Sequence, residues 1–536
     1  MTVEPLWWRD GIVYQIYPRS FADSNEDGIG DLEGIRSRLP YLQDLGVDAI
    51  WLSPINPSPD VDFGYDVSNY LDIDPKFGTM SDFERLASDA HDRGIHIILD
   101  LVLNHTSDQH PWFQESRSSL DNHYRDWYLW RDPAPGGKPP SNWTSIFGGS
   151  GWEFDENTGQ YYYHMFYKEQ PDLNWRNPDV RREMLNVFHY WAQHGADGFR
   201  LDVFNMFFKH PDFPDNPTRF GLRGFDRQEH VNDCDQPEMI PLVEEIREIL
   251  DGYPQRYAVG ETFISSPKKA AIYCAPGRLH AAFDFTFLGC PWDPARFLSA
   301  IQHWDNALES DSWPTYVLNN HDNRRTATRY GKGEDDERLK VAAALLLTLR
   351  GTPFLYYGEE IGMRDIPIHR GDSQDPIGKR FFPFQKGRDG CRSPMQWDAS
   401  PNAGFSKAKP WLKVNDNYRK RNVEVQKTNP DSLYHFYRKL IQIRRDLPAL
   451  RSGMFLPLTY EPQRLLAYLR QENNQTVLVA LNFGKRPVNF ALGGQVRTTA
   501  WKFVLSNKRD SLPAVIKGNL VRLEGNEALI LLQEQF

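Results

Sequence analysis

IHIILDLVLNH, residues 95–105, is almost unbroken Ile, Leu and Val, with Asp100, Asn104 and His105 gathered in its second half. A strand with one wet face alternates apolar and polar residues. This run does not, so it reads as a strand buried on both faces, as in a parallel sheet covered by helices. Seven further runs join it: GIVYQIYP (11–18), VDAIWLSP (47–54), GFRLDV (198–203), YAVGET (257–262), AAFDFTF (281–287), YVLNNHD (316–322) and PFLYYGEE (353–360). Helical spacing separates several of them. Leu32, Ile35, Leu39 and Leu42 form one such series and Phe83, Leu86 and Ala90 another, while DVRREMLNVFHYWAQHG (179–195) reads as a third helix. Eight strands alternating with helices predict an α/β fold, a (β/α)8 TIM barrel. A doubly wound sheet shares the pattern, but no GxGxxG follows the first strand.

Two stretches break the alternation. Residues 104–174, rich in Gly, Pro and aromatics, are too long for a simple loop and read as an inserted subdomain after strand 3. Residues 365–420 form a second irregular excursion. From about 455 the pattern becomes strand-like: LLAYLRQ, QTVLVALNF, TAWKFVLS and ALILLQ predict a C-terminal all-β sandwich. The expected division is therefore a catalytic barrel over 1–103 and 175–454, a subdomain over 104–174 and a β domain over 455–536.

A net charge of −10 across 536 residues argues against a polyanionic partner such as nucleic acid. The cysteines, at 234, 274, 290 and 391, form no CxxC pair and read as free thiols in a reducing compartment. The N-terminal MTVEPLWWRDGIVYQ lacks a basic segment followed by an apolar one, and the longest apolar run, VAAALLLTL (341–349), is too short to span a bilayer. The expectation is a cytoplasmic protein with no membrane partner, a monomer or homodimer.

In a barrel of this kind the chemistry sits where strands end. Polar residues collect there: Asp100, Asn104 and His105; Arg200 and Asp202; Glu261; His321 and Asp322; Glu359 and Glu360. Acids and histidines without cysteine suit glycosidic bond chemistry, in which one carboxylate attacks and a protonated one donates to the leaving oxygen. Arg200 is expected to hold Asp202 ionised by lowering its pKa. Glu261, with no cationic partner in sequence, is free to act as the acid. The residues alone leave the choice between Asp322 and Glu359 open. A divalent metal centre for hydrolysis is the rival use of such acids, but no HExxH or P-loop signature supports it.

DLVLNH (100–105), GFRLDV (198–203), GET (260–262) and NNHD (319–322) resemble the four signature regions of the α-amylase superfamily, glycoside hydrolase family 13. QPDLNW (170–175), which opens on Gln170, resembles a fifth region in the oligo-1,6-glucosidase branch. The likeness runs from WWRDGIVYQIYPRSF through PMQWD (394–398). It implies a retaining exo-acting α-glucosidase, with Asp202 as nucleophile, Glu261 as general acid/base and Asp322 stabilising the transition state. Arg200, His105, His321 and Gln170 would bind the sugar. Tyr65 of VDFGYD (61–66) would stack on the terminal glucose, and Asp62 would pair with Arg392 to clasp its 4-hydroxyl and close the pocket. Phe147 and Phe166 would form its aromatic wall. Val203 would favour α-1,6 linkages.

DSNEDGIGD (23–31) places Asp23, Asn25, Asp27 and Asp31 at positions 1, 3, 5 and 9 of an EF-hand-like loop, with the Ile29 carbonyl at position 7. Position 12 is Gly34, so this is no sensor EF-hand. By resemblance the loop is a structural Ca2+ or Mg2+ site; no organic cofactor is implied. Glucosyl-transferring isomerases of the trehalose synthase or sucrose isomerase type share much of the pattern. Transporter heavy chains use the same barrel as a non-catalytic interaction domain, but carry a membrane helix.

Overall fold

The computed structural model describes residues 6–263, 266–331, 333, 335–458, 463–491, 501–511 and 520–534. All eight predicted barrel strands are present: β1 Val13–Ile16, β2 Ala49–Leu52, β3 His96–Leu101, β4 Gly198–Leu201, β5 Tyr257–Glu261, β6 Ala281–Phe283, β7 Thr315–Val317 and β8 Thr352–Tyr356. Every pairing among them is parallel, in the order β7-β8-β1-β2-β3-β4-β5-β6. The remaining seam, between β6 and β7, is bridged by the Thr315 hydroxyl, which donates to the Ala282 carbonyl at 2.9 Å.

The continuous apolar runs have the cause inferred for them. Alternate residues such as Ile98, Trp51, Val259, Phe283 and Phe354 pack together inside the barrel. Their neighbours, among them Ile97, Leu99, Ile50 and Leu355, pack outward against the helices. Because Ile98 faces inward, Asp100, two residues on, does so too. It lies directly beside Arg200 in the β3–β4 register.

Two predicted elements differ. The series Leu32 to Leu42 is two helices, Leu32–Ser37 and Leu39–Leu45, because Pro40 at the start of the second has no N–H for a continuous ladder. AAFDFTF is a three-residue strand followed by the helix Phe285–Gly289; the Asp284 carboxylate caps that helix by accepting from the Thr286 amide.

The 104–174 segment contains a three-stranded antiparallel sheet built from Trp130–Arg131, Gln160–Tyr163 and Trp152–Asp155. Beyond the barrel, a five-stranded and a two-stranded antiparallel sheet enclose a separate core of Leu469, Leu478, Phe490, Val521 and Leu531. The predicted strand TAWKFVLS is seen as Trp501–Ser506; its first two residues, like residues 1–5, lie outside the described part.

Candidate active site

Arg200 organises the barrel mouth. It is 1% exposed, and its guanidinium donates to Asp100 Oδ1 at 2.6 Å, to Asp202 Oδ1 at 2.7 Å and to Glu261 Oε2. The expectation that Glu261 lacks a cationic partner is therefore overturned. The β4–β5 register sets Arg200 beside Val259, and Glu261, two residues on, shares its face. Gly260 between them is required: a Cβ there would lie 2.2 Å from the Phe204 ring.

The expected pKa of Asp202 is also corrected. Burial pushes it up to about 6, because the pull of Arg200 does not outweigh desolvation and the repulsion of Asp100. One guanidinium shared among three carboxylates cannot hold them all strongly acidic. Asp100 also accepts from Trp51 Nε1 at 3.2 Å and from the Tyr65 hydroxyl at 3.0 Å.

Tyr65 connects this cluster to the next. Its ring stacks on His321, with centroids 5.3 Å apart and planes 3° from parallel, and its hydroxyl lies 2.7 Å from His321 Nε2. The Gln15 amide nitrogen donates to His321 Nδ1 at 2.7 Å, leaving the proton on Nε2, which lies 3.2 Å from Asp322. Burial lowers the pKa of His321 to about 3, so the ring is neutral. Asp322 is exposed at the mouth. Desolvation raises its pKa, but His321, Arg388 and Arg392 together bring it well below the ordinary value.

The Asp62–Arg392 pair is not formed. Asp62 instead accepts from Arg388 at 2.5 Å, while Arg392 donates to Asp322 at 2.8 Å and to the His321 carbonyl at 2.8 Å. The turn Asp389–Arg392 separates the two arginines, which both reach Asp322, while Arg388 also reaches Asp62. Asp375 fixes Arg388 by accepting from its backbone amide at 2.6 Å and its Nε at 2.9 Å. Arg388 also reaches Asp322 at 3.4 Å, so it joins Asp62 to Asp322. Sequence reasoning missed it for want of any periodicity in residues 365–420.

Gln170 Nε2 lies 3.0 Å from the Tyr65 carbonyl, 3.1 Å from His105 Nε2 and 3.4 Å from Asp62. Phe166 packs 5.0 Å from His105 and 5.8 Å from Phe147. Lys209, also missed, is fully buried; it donates to Asp172, to Asn104 Oδ1 at 2.8 Å and to the Met206 carbonyl at 2.5 Å. The signal for it was a single cation within the apolar stretch NMFFKHPDF (205–213).

Glu359 and Glu360 do not share the Asp202 face. Glu360 accepts from the Tyr14 and Tyr41 hydroxyls at 2.9 and 2.5 Å, and Glu359 accepts from Tyr437 at 3.1 Å; the tyrosines belong to the core outside the barrel. Burial pushes Glu359 up to about 7. The choice left open between Asp322 and Glu359 thus has a geometric answer: of the two, Asp322 shares the network with Arg200.

Val203 follows Asp202 at φ 36°, ψ 37°, in the left-handed region. A β-branched residue there costs roughly 1–3 kcal/mol of strain. The turn ends β4 and packs Val203 with Phe166, Met206 and Phe225.

The α-amylase catalytic-domain family matches residues 15–453. The chain belongs to this family. As an α-amylase family member it is a glycoside hydrolase, and its relatives span several outcomes of one chemistry. It is 41% identical to an oligo-1,6-glucosidase of Parageobacillus thermoglucosidasius, over 94% of this chain and 95% of the relative. The crystal structure of an α-glucosyl transfer enzyme, XgtA, superposes with a TM-score of 0.93 at 38% identity, covering 99% of this chain and 100% of XgtA. An isomaltulose synthase from Erwinia rhapontici NX5 superposes at 0.89 with 35% identity, over 99% and 100% of the chains.

Proposed function

We propose that the protein is a retaining, exo-acting α-glucosidase that releases glucose from the non-reducing ends of short α-1,6- or α-1,4-glucosides. The observation that carries the reading is the Arg200-centred cluster at the strand ends, with the Asp62–Arg388–Asp322 bridge beside it. Asp202 attacks the anomeric carbon and forms a β-glucosyl ester, while Glu261 protonates the leaving oxygen and then takes a proton from water. Asp322, kept ionised by its arginines, faces the positive charge of the transition state. His105, His321, Gln170 and Arg392 bind sugar hydroxyls, and Tyr65, Phe147 and Phe166 provide apolar faces. Asp62 and Arg388 close the far end of the glucose site, which supports exo action.

The test is kcat/KM on maltose, isomaltose, sucrose and trehalose, with product analysis. Glucose release from maltose or isomaltose is expected, with isomaltose preferred because of Val203. A strong preference for maltose would reject the role of Val203 only. Conversion of sucrose to an isomer as the main reaction would favour the glucosyl-transferring isomerase reading, which the likeness to isomaltulose synthase keeps in view. A heavy-chain-like binding protein is disfavoured by the three intact carboxylates; no described helix is long and apolar enough to cross a membrane.

Asp202 must be ionised to attack, and its carboxyl is pushed up to about 6. As pH falls through that value the nucleophile takes up a proton, so kcat/KM is expected to drop about tenfold per unit below pH 6. A plateau extending to pH 4 would contradict this.

We also propose that the 23–31 loop holds Ca2+ or Mg2+. Among the described residues no three His, Cys, Asp or Glu side chains are grouped for a metal, so the donor set must mix carboxylates with Asn25 and the Ile29 carbonyl. The loop suits this. Asp23 accepts from the amides of Asn25, Glu26 and Gly28, Asn25 from that of Asp27, and Asp27 from that of Ile29, which folds the loop back on itself in successive turns. Gly28 has φ 92° and lies against the Lys409 carbonyl. Asp31 fits least well: it caps the next helix through the Gly34 amide and accepts from Ser24. Chelation is expected to lower the Tm more than it lowers activity. An unchanged melting curve in excess EDTA, with no metal by elemental analysis, would reject the site.

A further inference from the structure

Trp411, in the stretch KPWLKVND (409–416), has no part in the proposed chemistry, yet it contacts the supports of four residues that do. Its indole Nε1 donates to the Ser20 hydroxyl at 2.9 Å, and that hydroxyl donates to the Arg392 carbonyl at 2.5 Å. Ser20 is fully buried, so its two bonds have no water to replace them. The Trp411 ring packs 5.4 Å from Phe63 and 6.2 Å from Tyr17. Tyr17 in turn stacks on His321, with centroids 6.0 Å apart and planes 13° from parallel, and its hydroxyl accepts from Arg392 Nη1 at 3.4 Å.

Phe63 stands between Asp62 and the Gly64–Tyr65 pair, and its φ is 51°. A bulky residue rarely takes that left-handed backbone and keeps it only where its surroundings hold it. Trp411 and Arg19 supply the hold. The Arg19 guanidinium lies 5.2 Å from the Phe63 ring and 5.2 Å from the Trp411 ring, and Asp60 fixes it at 2.6 Å. The two rings therefore share one cation as well as their own contact. Trp411 is itself anchored, because its backbone amide donates to the Gly28 carbonyl at 3.0 Å.

We infer that Trp411 and Ser20 are positioning residues of the glucose site. Trp411 holds the Asp62–Tyr65 turn through Phe63 and, through Ser20, the backbone of Arg392. The inference rests on the α-glucosidase reading. Asp62 and Arg392 come from distant parts of the chain, and a single indole fixes the supports of both. These residues meet sugar hydroxyls before any bond breaks, so misaligning them weakens ground-state binding first.

Steady-state kinetics on maltose, calorimetric binding of glucose and a thermal melt test this with the full chain. Trp411→Ala is expected to raise the KM for maltose and the Kd of glucose together, each about tenfold, the effect of misaligning one hydrogen bond to a charged group. The change in kcat should be smaller. Trp411→Phe keeps a ring against Phe63 and Arg19 and loses only the indole N–H, so it should recover much of the affinity. Adding Trp411→Phe to Ser20→Ala should cost nothing beyond Ser20→Ala alone, because both remove the same bond. A lower Tm in Trp411→Ala with KM and Kd unchanged would make the ring merely structural and overturn the inference. Additive losses in the double variant would overturn it too, and they decide the matter alone if Trp411→Ala does not fold. If the wild type releases glucose from neither maltose nor isomaltose, the α-glucosidase reading fails, and the inference with it.

Discussion

Asp202→Asn is expected to lower maltose and isomaltose hydrolysis by about 10^4-fold or more, because the amide cannot form the glucosyl ester on which both half-reactions depend. The fold should survive. The side chain is nearly isosteric, its carbonyl can still accept from Arg200, and the replacement removes one of three carboxylates crowded around a single cation. Steady-state kinetics and a thermal melt on the same preparation separate the two effects. Near-wild-type turnover would reject Asp202 as nucleophile, and an unfolded protein would mean that the carboxylate is structural.

The second large effect is on stability. Arg200→Met should destabilise the protein by about 3–5 kcal/mol at pH 7, because it leaves Asp100, Asp202 and Glu261 buried together without their cation. The loss should shrink toward pH 5. The folded-state pKa of Asp202 lies above its unfolded value, and that of its neighbour Asp100 is likewise raised by burial, so acid lets the crowded carboxylates take up protons in the folded state. Urea unfolding at the two pH values checks this. An equal loss at both would show that Arg200 stabilises through packing on Trp51, 5.2 Å away, and not through charge.

The barrel was legible because period and burial coincide. IHIILDLVLNH carries no alternation to hide its two buried faces, and each strand ends in polar residues that have no place in a core. Arg200, Asp202 and Glu261 could be found for the same reason. The pairing of charges could not, since it depends on distances set by closure. Glu261 was read as lacking a cation because its partner lies 61 residues earlier, on the adjacent strand. Arg388 and Arg392 differ by a single turn, and only that turn decides which one reaches Asp62. Pro40 was visible in the sequence but was outweighed by the apolar spacing around it.

The sharing of Arg200 has an electrical consequence. With Arg388 and Arg392 it makes three fixed cations, set against Asp62, Asp100, Asp202, Glu261, Asp322 and Asp375. When the acids are ionised the site is a cage short of positive charge. A neutral sugar does not supply that charge, whereas the oxocarbenium-like centre formed during bond cleavage does. The empty site and the sugar-filled site are both short of positive charge, and the barrier top makes up part of that shortfall. Amine-bearing sugar mimics that arrive already protonated should exploit the same vacancy, binding more tightly as pH rises past the point where Asp202 ionises.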